Sequence, residues 1–279
     1  MDLLTVETFT RPADDDGLRA LLPTLGPDRT PLGGGSWLFS VPQPHLVGLV
    51  DLTALGWEPV VADAGGLTLA ATATLATLAD LDPSSYPEWP AVALFAGCCE
   101  ALVGSRKIWH TATVGGNVCL ALPAAPMVTL AAVLDGEATI WTPGGGSRRA
   151  PVVDLVVGAQ RTSLAPGEVL RAIALPAAAL RARTALRRAS LSPLGRSASL
   201  LAGRRGPDGG FVLAVTAALP RPAVLRYDDV PPAGTLAADV EALGDAHGWY
   251  DDPHGTPAWR RAMTLRGAEE IRRELGEGR

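Results

Sequence analysis

Thr111-Ala112-Thr113-Val114-Gly115-Gly116-Asn117-Val118-Cys119 stands near the middle of a chain of 279 residues, a glycine pair between apolar flanks. Upstream lies a second glycine-rich stretch, Pro31-Leu32-Gly33-Gly34-Gly35-Ser36-Trp37. Glycine has no Cβ and reaches backbone angles closed to other residues, so each stretch can bring backbone amides close to a bulky anion. Two such loops in one domain predict a ligand that carries a diphosphate. Neither is a Rossmann fingerprint, because no G-x-G-x-x-G opens a helix, and no G-x-x-x-x-G-K-[ST] is present. A third run, Pro143-Gly144-Gly145-Gly146-Ser147, is flanked by strands and reads as a solvated turn.

Hydrophobic periodicity places the two stretches in a mixed fold. Leu3 to Phe9 alternates as a strand, and Arg11-Pro12 breaks it. Asp14 to Asp16 supply N-cap acids for a helix with Leu18, Leu21, Leu22 and Leu25 on one face. A strand at Thr30 to Leu32 runs into the first glycine loop, and further strands are expected at Leu46 to Leu52 and Leu67 to Ala71. Helices are expected at Leu75 to Leu81, Trp89 to Leu102 and Ala124 to Leu134, then strands at Ala138 to Trp141 and Val169 to Leu175. Pro176 to Arg183 reads as a linker. Beyond it the pattern predicts strands near Thr184 to Arg188, Ala198 to Ala202 and Phe211 to Ala218, and a helix near Ala237 to His247. A last helix begins at Pro257, with Thr256 as N-cap and Leu265, Ala268, Ile271 and Leu275 on one face. The domain boundary falls at about residue 178.

Composition narrows the function classes. The net charge of -5 argues against a nucleic-acid binder, despite Arg-rich patches at Arg181 to Arg188 and Arg204-Arg205. No run reaches the roughly eighteen apolar residues of a membrane span. Met1-Asp2-Leu3-Leu4-Thr5-Val6-Glu7 carries acids where a signal peptide carries bases, so a cytoplasmic location is expected. Cys98, Cys99 and Cys119 are the only cysteines, too few for a disulfide framework or a four-cysteine cluster within the chain.

Catalytic signatures are sparse. His45, His110, His247 and His254 show no metal spacing, and no G-x-S-x-G is present. His110 stands out by lying three residues before Thr113. Cys98-Cys99 falls inside an apolar helix pattern and reads as buried. Cys119 reads as a small packing residue, with redox sensitivity the alternative. The adjacent acids Asp251-Asp252 suit a turn or cap better than an acid/base pair.

Order and flanks give the glycine stretches their meaning. Leu32-Gly33-Gly34-Gly35-Ser36, then Leu69-Ala70-Ala71-Thr72-Ala73-Thr74-Leu75, then Thr113-Val114-Gly115-Gly116-Asn117 resembles the FAD-binding medium subunits of the molybdenum hydroxylases, of the carbon monoxide dehydrogenase and xanthine dehydrogenase type. The likeness extends from Phe9-Thr10-Arg11-Pro12 to Asp251-Asp252-Pro253-His254-Gly255-Thr256-Pro257-Ala258-Trp259-Arg260-Arg261. It implies an α+β fold: a PCMH-type FAD-binding domain over 1-178, in subdomains of about 1-55 and 56-178, then a smaller α+β domain over 179-279 with an antiparallel sheet and helices. It implies non-covalent FAD, with Gly34, Gly35 and Ser36 on the diphosphate and Leu32, Gly33 and Trp37 adjoining. Thr113, Gly115, Gly116 and Asn117, flanked by Trp109, His110, Val114 and Leu120, would wrap the same cofactor. Leu170 would pack on the ring system, and Arg187 would take the place of a lysine near the flavin.

By the same resemblance, molybdopterin belongs to a large partner subunit and two [2Fe-2S] clusters to a small one. The chain would pass electrons from that small subunit to an acceptor such as NAD, a quinone or oxygen. Three positions depart from the family's pattern. Leu122-Pro123-Ala124-Ala125-Pro126 replaces Ser-Pro-x-x-Asp, Trp109-His110 replaces Arg-Asn, and Trp37 replaces a polar residue. Those losses of polar groups leave open a degenerate subunit of the same fold, with weak or no FAD binding and a role in assembly. A stand-alone flavin oxidase would need a positioned base, and the sequence shows none.

Overall fold

The structure is a computed structural model and describes residues 3–277. Met1 and Asp2, on which the reading of the N-terminus begins, lie outside the described residues. The chain opens with β1 (Thr8–Thr10), α1 (Asp15–Leu21), β2 (Arg29–Leu32) and β3 (Gly48–Asp51). These strands form a parallel sheet in the order β1-β3-β2. Asp14 caps α1 by accepting from the Gly17 amide at 2.8 Å, and Leu18 and Leu22 are fully buried beneath it. The strand expected from Leu3 is shorter than its pattern. Leu3 and Val6 instead pack on a small cluster of Leu32, Leu46 and Leu49.

The second unit contains β4 (Val60–Asp63), β5 (Gly66–Ala70), α2 (Leu75–Ala79), α3 (Leu94–Glu100), α4 (Arg106–Trp109), α5 (Val114–Leu120) and α6 (Pro126–Val133). It continues through β6 (Glu137–Trp141), β7 (Ser147–Pro151), α7 (Val152–Leu155), β8 (Val156–Gly158), β9 (Arg161–Thr162) and β10 (Val169–Pro176). Its main sheet is antiparallel, in the order β4-β5-β10-β6-β7. The expected helix at Trp89 to Leu102 is instead a 3₁₀ turn at Pro90–Ala93 followed by α3, a start that suits proline because its missing N–H needs no partner there. All eight residues of α6 are buried. It packs against α3, α5 and α7 on one side and against the C-terminal sheet on the other, which is why it shows no polar face.

The remaining elements are α8 (Ala177–Leu180), β11 (Arg183–Ala189), β12 (Ser199–Arg205), β13 (Phe211–Thr216), β14 (Ala223–Tyr227), α9 (Ala233–His247) and α10 (Pro257–Glu277). β11 to β14 form an antiparallel meander in chain order. The expected linker is not an open connection. Ala177, Ala179 and Leu180 of α8 are buried, and the Ala177 amide donates to Gly65 O at 2.7 Å. The α10 stripe buries Ala268, Ile271 and Leu275 as its spacing predicts, with Leu265 partly covered. One face of the meander meets α10 and, through Leu236 and Val240, shares an apolar cluster with α9, and the other meets α6. There Thr129 and Thr216 share a buried hydroxyl hydrogen bond of 2.7 Å, and Asp135 accepts from Arg226 at 2.6 Å and from Arg204.

Candidate functional site: a glycine-lined cleft

The second glycine stretch is not a loop. Thr113 is the N-cap of α5, with its Oγ1 accepting from the Gly116 amide at 3.0 Å. The Val114 amide donates to Ala73 O at 2.9 Å, Gly115 to Ala71 O at 2.8 Å, and Asn117 to Thr113 O at 2.9 Å. The first four amides of the helix are therefore satisfied within the chain, because Ala71 to Ala73 run directly against its opening turn. A Cβ on Gly115 would lie 2.6 Å from that of Ala71. Gly115 is needed for this close packing.

The first stretch has the opposite character. Gly35 sits at φ +71°, which favours glycine. A Cβ on Gly33 would fall 2.6 Å from Thr113 Oγ1, and one on Gly34 only 1.4 Å from Thr111 O. The two stretches thus touch, backbone against backbone. The amides of Gly34, Gly35 and Ser36 have no acceptor among the described residues, so this turn retains the donors that the helix start has spent. Successive unspent amides about a left-handed residue form a concavity suited to an anion.

Gly33, Gly115 and Gly116 line one cleft of about 540 Å³, within the range of cofactor sites. Leu25 to Pro27, Arg29 to Pro31 and Leu52 form one part of its wall; Ala71, Thr72 and Cys119 form another, and Leu164 to Leu170 close it. Of the charged side chains in the lining, Glu168 is neutralised by Arg148 at 2.6 Å. Arg29 donates from Nη2 to Thr10 Oγ1 at 2.9 Å and is left as the uncompensated charge. The cation, the apolar walls and the adjoining glycine turn fit a ligand that joins an anionic group to flat apolar ones.

The other residues singled out in the sequence occupy varied positions. Leu170 is buried and lines the cleft. Thr113 and Val114 are buried at the start of α5, and Leu32 belongs to the small cluster of the first unit. Gly34, Gly35, Ser36, Trp37 and Leu120 are half-buried and outside the lining, the turn reaching the cleft only at Gly33. Asn117 turns its side chain away to α6, where Oδ1 accepts from the Met127 amide at 2.9 Å. Trp109 packs on the edge of the main core, with the Arg106 guanidinium 5.3 Å above its ring, while His110 is exposed. Arg187 is directed at α10, pairing with Glu270 at 2.9 Å and Glu274 at 2.5 Å. None of these last three lines the cleft.

Cys119 is expected to pack, and its surroundings do desolvate the thiol and push it up to about 12, yet the residue also borders the cleft. Three and four residues beyond Gly116 and Gly115, it shares their face and is exposed at the cleft wall. Cys98 and Cys99 are buried, and burial pushes the Cys99 thiol up to about 12. Asp252 accepts from the His254 amide at 2.8 Å and pairs with the buried Arg260, a turn-fastening role. Among the described residues no group of His, Cys, Asp and Glu could hold a metal, and no helix is long and apolar enough to cross a membrane. The run Leu164 to Glu168 escaped the sequence reading, although Pro166-Gly167 is a turn signal that marks it.

Similarity to known proteins follows the same lines. None of the curated proteins matches the chain. Solved structures with the same fold include a chain of quinoline 2-oxidoreductase from Pseudomonas putida 86, at 20% identity and a TM-score of 0.81, covering 100% of this chain and 99% of that one. A chain of the Hydrogenophaga pseudoflava carbon monoxide dehydrogenase lacking the Mo-pyranopterin moiety is 18% identical, with a TM-score of 0.81 and 98% of both chains covered. One from reconstituted CO dehydrogenase of Oligotropha carboxidovorans is 20% identical with a TM-score of 0.81, covering 98% of this chain and 99% of that one. These likenesses establish the α+β fold. The family described as the FAD binding domain in molybdopterin dehydrogenase matches residues 5–178, which is most of the chain and includes both glycine stretches and the cleft between them, and the protein therefore belongs to that family of oxidoreductase flavoproteins.

Proposed function

We propose that this chain is the electron-transfer subunit of a molybdenum-containing dehydrogenase complex in the cytoplasm. It accepts electrons from a small [2Fe-2S] subunit, beside a large molybdopterin subunit that oxidises the substrate, and delivers them to an external acceptor. Residues 1-178 form the FAD-binding domain and 179-279 the C-terminal domain. The observation that carries the reading is the meeting of Gly33 with Gly115 and Gly116 in one cleft, next to a turn whose amides are unspent.

In this arrangement Gly34, Gly35 and Ser36 would donate to the cofactor's diphosphate, while Gly115 seats α5 against Ala71 and Gly116 would let the cofactor approach the helix. Arg29 offsets part of the anionic charge, and Leu170 with Leu25 and Leu52 covers apolar surface and excludes water. FAD, when bound, supplies the redox chemistry itself. The chain's own residues bind, orient and shield, so no positioned acid or base is needed.

Purification of the chain with its neighbours in the genome, followed by visible spectroscopy and metal analysis, tests this. Flavin absorption with co-purifying molybdenum and iron supports it. A colourless chain that cannot be reconstituted with FAD, yet still co-purifies with such partners, would establish the assembly role instead. A yellow chain free of molybdenum and iron partners would point to an oxidase acting alone.

A further inference from the structure

Five consecutive residues, Leu164-Ala165-Pro166-Gly167-Glu168, line the cleft as a strap between β9 and β10. Their conformation is fixed from behind. Gly167 sits at φ +81°, where a Cβ would come within 2.5 Å of Pro143 Cγ and 2.7 Å of Leu22 O. Arg148, on β7, donates from Nε to Glu168 Oε1 at 2.7 Å and from Nη2 to Oε2 at 2.6 Å. The same guanidinium reaches Ser163 O at 3.2 Å. Glu168 Oε2 also accepts from the Ala165 amide at 2.9 Å, and the Glu168 amide donates to Ala165 O at 3.0 Å.

The Glu168 side chain is 8% exposed although it borders an open cleft. One carboxylate therefore ties both ends of a tight turn together, and one arginine outside the lining holds that carboxylate. A two-pronged guanidinium–carboxylate contact fixes orientation as well as distance, which a lysine cannot reproduce. Such a tie is unnecessary for the sheet, whose strands are already paired. Its geometric effect is on the wall formed by Leu164, Ala165 and Pro166.

We propose that Arg148 and Glu168 are positioning residues for the cofactor: together they hold the Leu164–Pro166 strap against the bound ligand and slow its release. This rests on the reading of the cleft as the FAD site. Arg148 is not itself in the lining, so it acts on the cleft through Glu168 and, at the start of the strap, through its bond to Ser163 O.

The test uses the full chain with three variants: Arg148→Met, Arg148→Lys and the double exchange Arg148→Glu/Glu168→Arg. Two readouts are needed, release of FAD followed by fluorescence, and amide hydrogen exchange across residues 163–168. In Arg148→Met, exchange at Ala165 and Glu168 should rise and FAD release should accelerate about tenfold, as expected on losing a charge-assisted pair. Arg148→Lys should resemble Arg148→Met, and the double exchange should recover part of the retention. Unchanged FAD release in a folded Arg148→Met chain with a loosened strap overturns the proposal, as does unchanged exchange. If the parent chain binds no FAD, the cofactor reading is what fails, and the exchange data alone still decide whether Arg148 sets the strap.

Discussion

A Cβ on Gly34 would stand 1.4 Å from the carbonyl oxygen of Thr111, so the two glycine-rich stretches are in direct backbone contact across the cleft's edge. Gly34→Ala must then push the first unit away from α5. The expected cost is about 3 kcal/mol, at the upper end of overpacking effects. Denaturant unfolding should show it, with FAD binding lost in the same variant.

Gly116 is a different case. Its Cβ would meet only Thr113 Oγ1, at 2.9 Å. Gly116→Val should weaken the N-cap, costing about 1 kcal/mol, while its side chain fills the space next to the diphosphate. A folded chain of slightly lower stability that retains no flavin is the expected result. Normal FAD content in that chain would remove Gly116 from the site.

Asn117 separates a structural role from a binding role. With Oδ1 on the Met127 amide, Asn117→Ala should destabilise by about 1 to 2 kcal/mol by leaving a donor unpaired at the start of buried α6. Asn117→Asp keeps an acceptor and should restore stability and FAD content together. Loss of FAD from Asn117→Asp at unchanged stability would show that the side chain serves the cofactor instead.

These contrasts also show what the sequence could reveal. Helical periodicity located α1 and the buried stripe of α10, and continuous apolar runs located β5 and β10, whose residues are mostly buried on both faces. Both patterns missed β4, whose Val61 to Asp63 are exposed at a sheet edge, and β14, whose leading apolar residues follow a proline-rich turn. The glycine stretches were visible as motifs, but their division of labour was not. That division depends on Ala71 and Ala73, some forty residues away, which take the amides of Val114 and Gly115. Arg148 and Glu168 carried no local signal, since their spacing of twenty residues spans a strand, a helix and a hairpin. Arg187 shows the converse: strand placement was legible, whereas its partner depended on the register of α10.

Acid titration gives a test on α10. Arg272 and Arg273 hold the Glu269 carboxylate down to about 2 from an ordinary 4.5, the bond from Arg272 being the larger cause. A carboxylate lowered on folding stabilises the native state above its unfolded value and loses that contribution as pH falls through the folded one. Stability should thus decline between about 4.5 and 2, and Glu269→Gln should flatten part of that decline. NMR titration of Glu269 with a midpoint near 4.5 would refute the assignment.

Arg260, near the start of α10, ties that helix to the ends of β12 and β13. It is 1% exposed and donates to Gly255 O and Ala198 O, each at 2.8 Å, and to Ala217 O at 2.6 Å, besides pairing with Asp252. Burial of a charge is tolerated because every prong has an acceptor, and Ala217, at φ +63°, is turned so that its carbonyl can serve. The Ala217 amide in turn donates to Pro123 O at 2.7 Å, in the connection between α5 and α6. Arg260→Met leaves three carbonyls and a carboxylate without their donor, and should cost about 3 to 5 kcal/mol. Because the tie continues through Ala217 to the α5–α6 connection, FAD release should quicken as well, measurable by fluorescence in chains still folded at low temperature. A loss of stability confined to α10, with FAD release unchanged, would show that the C-terminal sheet does not support the cleft.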